Sequence, residues 1–234
     1  MKTIIMLGDS FGVPNWYGPP GAPPEAHVEF LLKDMKHKGT NKYHVINLSI
    51  NGSSSDKHAE QLELFVHTNP MFKVDYVIWF HNASISCIMP PTVEHQLHNY
   101  MNDQLIAVYA NMLKLKKQLD ARWVVIGGSS SLPDFYYPFC IHDYVIPDWR
   151  AKILNENLPQ VFGSGVLSNR LLINSELNTE SLELKHRANT NFEDIQMLLS
   201  KNKNLFPDSC HPGIKPHRDL SIELDSYFQS NGTT

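Results

Sequence analysis

A serine near the N-terminus and an acid and histidine pair near the C-terminus are the residues of this sequence best suited to covalent chemistry. Ser10 closes the tripeptide Gly8-Asp9-Ser10, and Asp208 precedes His211 by three positions in the stretch PDSCHP. A serine hydroxyl is a poor nucleophile at neutral pH unless a neighbouring base takes its proton. A histidine can be that base when a carboxylate holds its Nδ1–H. We therefore expect Ser10, His211 and Asp208 to act as nucleophile, general base and orienting acid.

Attack on a carbonyl also requires hydrogen-bond donors for the oxyanion that develops. The candidates are the backbone N–H groups of Ser10 and Gly52 and the side-chain amide of Asn82. Each well-aimed donor lowers the barrier by about 3 kcal/mol. A glycine at position 52 also lets the backbone approach a substrate closely. Together these residues contain the parts of an acyl-transfer site.

Ser10, Gly52 and Asn82 each follow a short run rich in β-branched or aromatic residues. Three of four such runs are nearly continuous in apolar character, which is typical of strands buried on both faces of a parallel sheet. Ligands bind such sheets at the carboxyl ends of the strands. We therefore expect these three residues to converge there with Asp208 and His211. The four predicted strands are Thr3–Leu7, His44–Ile50, Val74–Phe80 and Trp123–Ile126.

Helical patterns, with apolar residues three and four positions apart, alternate with the strands. This alternation predicts βαβ units with right-handed crossovers, and hence a three-layer α/β/α sandwich in a single domain over 1–234. We interpret the aromatic and proline-rich segment 129–174 as a lid or insertion beside the sheet, with a fifth strand near Leu171–Asn174. The predicted helices cover Glu25–Lys38, Ser55–His67, Thr92–Asp120, Thr190–Ser200 and Pro216–Phe228.

The motifs, their order and their strand-end contexts resemble those of the SGNH, or GDSL-type, hydrolase superfamily, from Gly8 to Pro212. In that family the site is formed by the serine of an N-terminal GDS motif, glycine and asparagine residues after the second and third strands, and a C-terminal Asp-x-x-His. The resemblance implies a flavodoxin-like sandwich with a parallel sheet of about five strands. It also implies ester hydrolysis through an acyl-enzyme, without a cofactor or a metal. Carried over, the site residues are Ser10, Gly52, Asn82, Asp208 and His211.

The third family block departs from its usual form. It reads Phe80-His81-Asn82-Ala83 where the family has Gly-x-Asn-Asp, so we expect an unusual substrate pocket near His81. Substrates in keeping with the resemblance are short acyl esters and O-acetyl groups, including those carried by carbohydrates. The altered block also motivates an alternative, a noncatalytic SGNH-like module that binds a ligand or serves as a structural part. The candidate pocket residues are His81, Asp9, Trp16 and Tyr17.

Each candidate residue also has an ordinary structural explanation. Ser10 taken singly is typical of a turn or a helix cap, and Asp208 of an Asx turn. Asp9 is expected to be a structural hydrogen-bond partner. His217 is a rival base, but no acid precedes it at the Asp-x-x spacing and we expect it at the surface of the last helix. The joint occurrence of the site residues in order favours the catalytic interpretation.

Composition limits the remaining classes of function. The formal net charge is −4, with scattered Lys and Arg, which argues against a nucleic-acid partner. No apolar run approaches the roughly 18 residues that span a bilayer, and no secretory signal precedes the first strand, so we expect a cytoplasmic protein. Cys87, Cys140 and Cys210 are an odd, widely spaced set, expected to be free thiols. The sequence leaves the oligomeric state open.

Overall fold

A computed structural model of the chain describes residues 1–14, 26–82, 97–128, 130–156, 158, 194–208 and 210–231, with backbone only at 97–102. Five strands form a parallel sheet in the order β4-β1-β5-β6-β7, and β2 pairs with β3 in a small antiparallel hairpin. The strands are β1 (Lys2–Leu7), β2 (Lys36–His37), β3 (Thr40–Asn41), β4 (Tyr43–Asn47), β5 (Tyr76–His81), β6 (Arg122–Gly127) and β7 (Tyr144–Ile146).

The central strands are buried on both faces, as their continuous apolar sequences predict. All six residues of β5 are buried, and its alternate side chains enter two different apolar clusters. Val77 and Trp79 point to one face of the sheet, while Ile78 and Phe80 point to the other. Each face therefore needs a covering layer of helices.

Among the described residues, helices cover both faces of the sheet. These helices are α1 (Val28–Asp34), α2 (Ser55–Thr68), α3 (Leu97–Leu119), α4 (Trp149–Leu154), α5 (194–201) and α6 (Ile214–Ser230). Side chains of α2 and α3 pack in the cluster that contains Trp79. Side chains of α1 and α6 pack in the cluster that contains Phe80. The predicted three-layer α/β/α sandwich is thus confirmed. In addition, Asp134–Phe139 forms a 3₁₀ helix. None of the described helices is long and apolar enough to cross a membrane.

The first predicted helix, Glu25–Lys38, extends too far towards the C-terminus. It ends at Asp34, and the β2–β3 hairpin follows directly. Lys38 and Gly39 form the hairpin turn with φ values of 51° and 83°. Because the turn needs left-handed backbone at both positions, the helical spacing of the apolar residues cannot continue through it.

The fifth strand of the sheet lies in the segment that we predicted as a lid. Tyr144–Ile146 pairs with Val124–Ile126 in parallel and forms the edge of the sheet. The predicted strand at Leu171–Asn174 lies outside the described residues. The strand β7 has only three residues and ends directly before Pro147, so its sequence pattern is too short to predict a strand. Part of 129–174 therefore belongs to the sheet.

Candidate active site

The turn after β1 carries Ser10 to the carboxyl edge of the sheet. Asp9 begins this turn, and its carbonyl accepts a hydrogen bond from the N–H of Gly12 at 3.0 Å. Gly8 lies so close to β5 that a methyl group there would be 2.7 Å from Cβ of Phe80. Because β1 lies between β4 and β5, Ser10 emerges beside the turns that follow both neighbouring strands.

His211 links Ser10 to Asp208. Its Nε2 lies 2.8 Å from Oγ of Ser10, and its Nδ1 lies 2.5 Å from Oδ2 of Asp208. A carboxylate oxygen only accepts hydrogen bonds, so the ring proton is on Nδ1. In the neutral ring with this tautomer, Nε2 carries no proton and accepts the hydrogen bond from the serine hydroxyl. We call Ser10, His211 and Asp208 the Ser10 trio; its geometry suits removal of the serine proton.

Asp208 is held by its own turn. Its Oδ1 accepts hydrogen bonds from the N–H groups of Cys210 at 2.9 Å and His211 at 2.7 Å. Burial acts to raise the pKa of Asp208, but the hydrogen bonds from the side chain and backbone of His211 outweigh it, and the pKa is lowered. The carboxyl group is therefore ionised at neutral pH, which fixes the imidazole tautomer. The Asx-turn interpretation and the orienting role are compatible at this residue.

Asn82 directly follows β5, and Gly52 lies five residues after the end of β4. Gly52 has a φ of 71°, a left-handed conformation that favours glycine. It lies in a turn closed by a 3.0 Å hydrogen bond from the N–H of Ser53 to the carbonyl of Ile50. The amide nitrogen of Asn82 donates to Oδ2 of Asp9 at 2.9 Å and to the carbonyl of Ser53 at 3.2 Å. Both residues thus have fixed orientations beside the serine turn.

Asp9 is buried beneath this edge, with 3% of its surface exposed. Its Oδ1 accepts a hydrogen bond from the N–H of Phe11 at 3.0 Å, while Oδ2 accepts one from Asn82. Its carboxylate therefore ties the backbone just after Ser10 to the Asn82 amide. This arrangement places Asp9 as a structural partner of the site, not as a wall of an open pocket.

His81 lies in the core, so its prediction as a pocket residue is corrected. It is fully buried, and its Nε2 lies 2.7 Å from the hydroxyl of Tyr109 on α3. Burial lowers the pKa of His81 to about 3, so the ring is neutral. The period of two along β5 puts His81 on the same face as Trp79, a signal that the sequence contained. Trp16 and Tyr17, the other predicted pocket residues, lie outside the described residues.

His217 is buried, and its prediction as a surface residue is wrong. Its exposure is 3%, and its Nδ1 accepts a hydrogen bond from the N–H of Val28 at 3.4 Å. Its ring packs against those of His27 and Trp149. Position 217 precedes Leu220 by three residues and so continues the apolar stripe of α6 towards the N-terminus. The rival base is therefore part of the core.

A second serine and histidine pair, which is not among the predicted site residues, lies beside Gly52. His58 on α2 is fully buried, and its Nε2 lies 2.8 Å from Oγ of Ser53. The indole N–H of Trp79 donates to Nδ1 of His58 at 3.1 Å. We call Ser53, His58 and Trp79 the Ser53 trio. Since His58 precedes Leu62 by four residues on α2, the helical period indicated that it faces the core.

Comparisons with known proteins give likenesses of structure only. No protein-family model and no curated protein matches the chain. Many of the solved structures that match are SGNH or GDSL-type hydrolases. The structure of TesA is 14% identical with a TM-score of 0.47, and the match covers 98% of this chain and 99% of that one.

Two further solved structures are described as esterases. The psychrotrophic esterase EstA from Pseudoalteromonas sp. is 16% identical, with a TM-score of 0.48 and 98% of each chain covered. A catalytic mutant of Axe2, an acetylxylan esterase from Geobacillus stearothermophilus, is 14% identical with a TM-score of 0.42, and the match covers 100% of this chain and 95% of that one. At such low identities the function has to be inferred from the residues of the chain itself.

Proposed function

We propose that the chain is a serine hydrolase of the SGNH type that cleaves an ester through an acyl-enzyme. The observation that carries this proposal is the continuous hydrogen-bonded line from Asp208 through His211 to Ser10. Against the effect of burial, the pKa of Asp208 is lowered, chiefly by its hydrogen bonds with His211, so its carboxylate can accept the Nδ1–H and direct Nε2 towards the serine hydroxyl. The motif order in the sequence gives independent support.

In the acylation step, Oγ of Ser10 attacks the ester carbonyl while Nε2 of His211 takes the hydroxyl proton. The imidazolium that forms is stabilised by Asp208 at Nδ1, without proton transfer to the carboxylate. His211 then gives its proton to the departing alcohol oxygen. The ester C–O bond breaks, and the acyl group remains on Ser10.

The oxyanion of the tetrahedral intermediate accepts hydrogen bonds from the N–H groups of Ser10 and Gly52 and from the amide of Asn82. The Asn82 amide nitrogen carries two hydrogens, of which one is directed at Asp9. The other hydrogen makes the longer contact, 3.2 Å to the carbonyl of Ser53, and the substrate oxygen shares this hydrogen without displacing that contact. Water then attacks the acyl-enzyme with His211 as base, and the acid is released.

We propose a short acyl or O-acetyl group, carried by a small molecule or a carbohydrate, as the substrate. The support is compositional, because proline and aromatic residues are dense around 132–149 and suit a small or sugar-borne group better than a long lipid chain. No cofactor enters the proposed steps.

The test is reaction with p-nitrophenyl acetate and with a fluorophosphonate that labels activated serines. We expect turnover of the acetate and a single label that peptide mass spectrometry assigns to Ser10. The variant His211→Ala should lose both while remaining folded by circular dichroism. A folded wild-type protein that resists the label and hydrolyses no ester would overturn the proposal and favour a noncatalytic binding module.

A further inference from the structure

We propose that His58 is a positioning residue that fixes the oxyanion donors through Ser53, so that Gly52 and Asn82 are in place before a substrate binds. The proposal rests on the proposed function, because it concerns the same site. His58 does not reach the reacting atoms; it acts through the hydroxyl of Ser53.

The tautomer of His58 is set by Trp79. An indole N–H can only donate, so Nδ1 of His58 accepts the 3.1 Å hydrogen bond and carries no proton. The proton of the neutral ring is then on Nε2, which donates to Oγ of Ser53 at 2.8 Å. His58 therefore cannot act as a base towards Ser53. It holds the serine oxygen from one side and leaves the hydroxyl proton for another acceptor.

Ser53 connects three parts of the candidate site. Its hydroxyl donates to the carbonyl of Ile50 at 2.6 Å, across the turn that contains Gly52. The same oxygen lies 3.1 Å from the carbonyl of Gly8, two residues before the nucleophile. The Ser53 carbonyl accepts from the amide of Asn82. A displacement of Ser53 would therefore move all three groups of oxyanion donors relative to one another.

Burial makes this chain of hydrogen bonds rigid. His58 and Trp79 have no exposed surface, and Ser53 has 9%. A buried donor or acceptor that loses its partner is not rescued by water, so each bond in the chain is strongly favoured. Donors that are already aligned need no reorganisation during the reaction, which is the main source of oxyanion stabilisation.

The test compares His58→Leu with His58→Gln by stopped-flow acylation with p-nitrophenyl acetate. The Gln amide reaches about as far as Nε2 and can still donate to Ser53, whereas Leu cannot. We expect the maximal acylation rate of His58→Leu to fall about 10- to 100-fold, with the half-saturating concentration changed less than about twofold. His58→Gln should stay within about fivefold of wild type. A purely structural role would not produce this order, since a buried amide is no more stabilising than a leucine.

The control is Tyr76→Phe, which removes a buried 3.1 Å hydrogen bond to the carbonyl of Phe228 at the other end of β5. It should acylate at the wild-type rate. If His58→Leu acylates as fast as this control, or if His58→Gln is as slow as His58→Leu, the proposal is overturned. If His58→Leu does not fold, Ser53→Ala takes its place in the experiment. An acylation rate of Ser53→Ala equal to that of the control would also overturn the proposal.

A measurement without catalysis separates the two proposals. Nitrogen NMR of Ser10→Ala should show His58 as the neutral tautomer protonated at Nε2, and protonation at Nδ1 would overturn the positioning role. If the tautomer is as expected but the wild-type protein shows no Ser10-dependent acylation, the proposed function is the part that fails.

Discussion

The Ser10 trio and the Ser53 trio share one plan, a serine bound to a histidine that is bound to a third group, yet the third group reverses the chemistry. In the Ser10 trio the third group is a carboxylate that accepts a hydrogen bond, so the histidine nitrogen facing the serine is unprotonated. In the Ser53 trio it is an indole that donates, so the facing nitrogen carries the proton. Distances near 2.8 Å are therefore insufficient to identify a nucleophile. The direction of each hydrogen bond determines whether the histidine can take a proton from the serine.

The largest expected effect distinguishes the two serines. Ser10→Ala should lower turnover of p-nitrophenyl acetate by about 10⁴-fold or more and abolish fluorophosphonate labelling. Ser53→Ala should retain the label at Ser10, because its hydroxyl donates to a carbonyl and is not activated. Peptide mass spectrometry of the labelled proteins makes the comparison. A label on Ser53 in Ser10→Ala, or loss of the Ser10 label in Ser53→Ala, would contradict the assignment of roles.

The substitution Asp208→Asn should give the Ser10 trio the hydrogen-bond directions of the Ser53 trio. Asp208→Asn presents an amide N–H to Nδ1 of His211 when its oxygen keeps the backbone hydrogen bonds, so Nε2 becomes the protonated nitrogen. We expect kcat to fall by about 10³- to 10⁴-fold with little loss of stability. Rates should be measured above pH 7, with thermal unfolding as the control. A variant that retains a tenth of the wild-type kcat would show that the carboxylate does not set the tautomer.

Trp79→Phe relaxes the constraint in the Ser53 trio and should have a smaller effect. Without the indole N–H, His58 can adopt either neutral tautomer, and we expect acylation to slow about fivefold. The matched control is Trp123→Phe, because Trp123 is equally buried in the same cluster and its Nε1 has no hydrogen-bond partner among the described residues. Equal acylation rates in the two variants would show that the indole N–H of Trp79 does not affect acylation.

Acid should destabilise the fold through the buried histidines, an effect on stability and not on the acylation rate. Burial lowers the pKa of His27 and His58 to about 4 and that of His81 to about 3, and holds that of His217 well below its usual value. In the unfolded chain histidine titrates near pH 6.5. Between about pH 6.5 and 4 the unfolded state therefore binds more protons, so stability is full above this window and is lost as the pH falls through it.

The melting temperature measures this loss. We expect it to be at least about 15 °C lower at pH 5 than at pH 7.5, because four histidines contribute to the loss. His81→Phe removes one of these groups and should show a smaller difference between the two pH values, whatever its absolute stability. An equal difference in the variant would mean that His81 is already protonated in the folded protein.

The two trios also differ in how much of their structure could be predicted from the sequence. The strands around Trp79 and the helices that cover them follow from local apolar patterns, and the three-layer sandwich was predicted correctly. Ser10, His211 and Asp208 were recognisable from motif order, and the structure brings them into contact; their catalytic roles stay a prediction. The bond between Trp79 and His58 joins a strand to a helix through tertiary packing, which no spacing within one element encodes.

Errors arose where one element was interpreted without its neighbours. His81 was assigned to the pocket because the third family block is altered there, and His217 to the surface because no acid precedes it at the Asp-x-x spacing, although the periods of β5 and α6 direct both into the core. Neutral imidazole with a hydrogen-bond partner is compatible with burial, so polarity alone is a poor guide for this residue. The short strand β7 gave too few residues for a pattern, and its identity as a strand comes from pairing with β6.

Ser10 and His211 are 201 positions apart in the sequence. The two partners of this hydrogen bond are therefore made at very different times during synthesis. The ribosome makes the strands that hold Ser10, Gly52 and Asn82 long before it makes His211. Domains of this kind fold as units, so a growing chain has an inert serine hydroxyl until α6 docks on the sheet. Under the proposed function, Ser10 therefore gains its general base only after the chain has been made as far as His211 and the domain has folded.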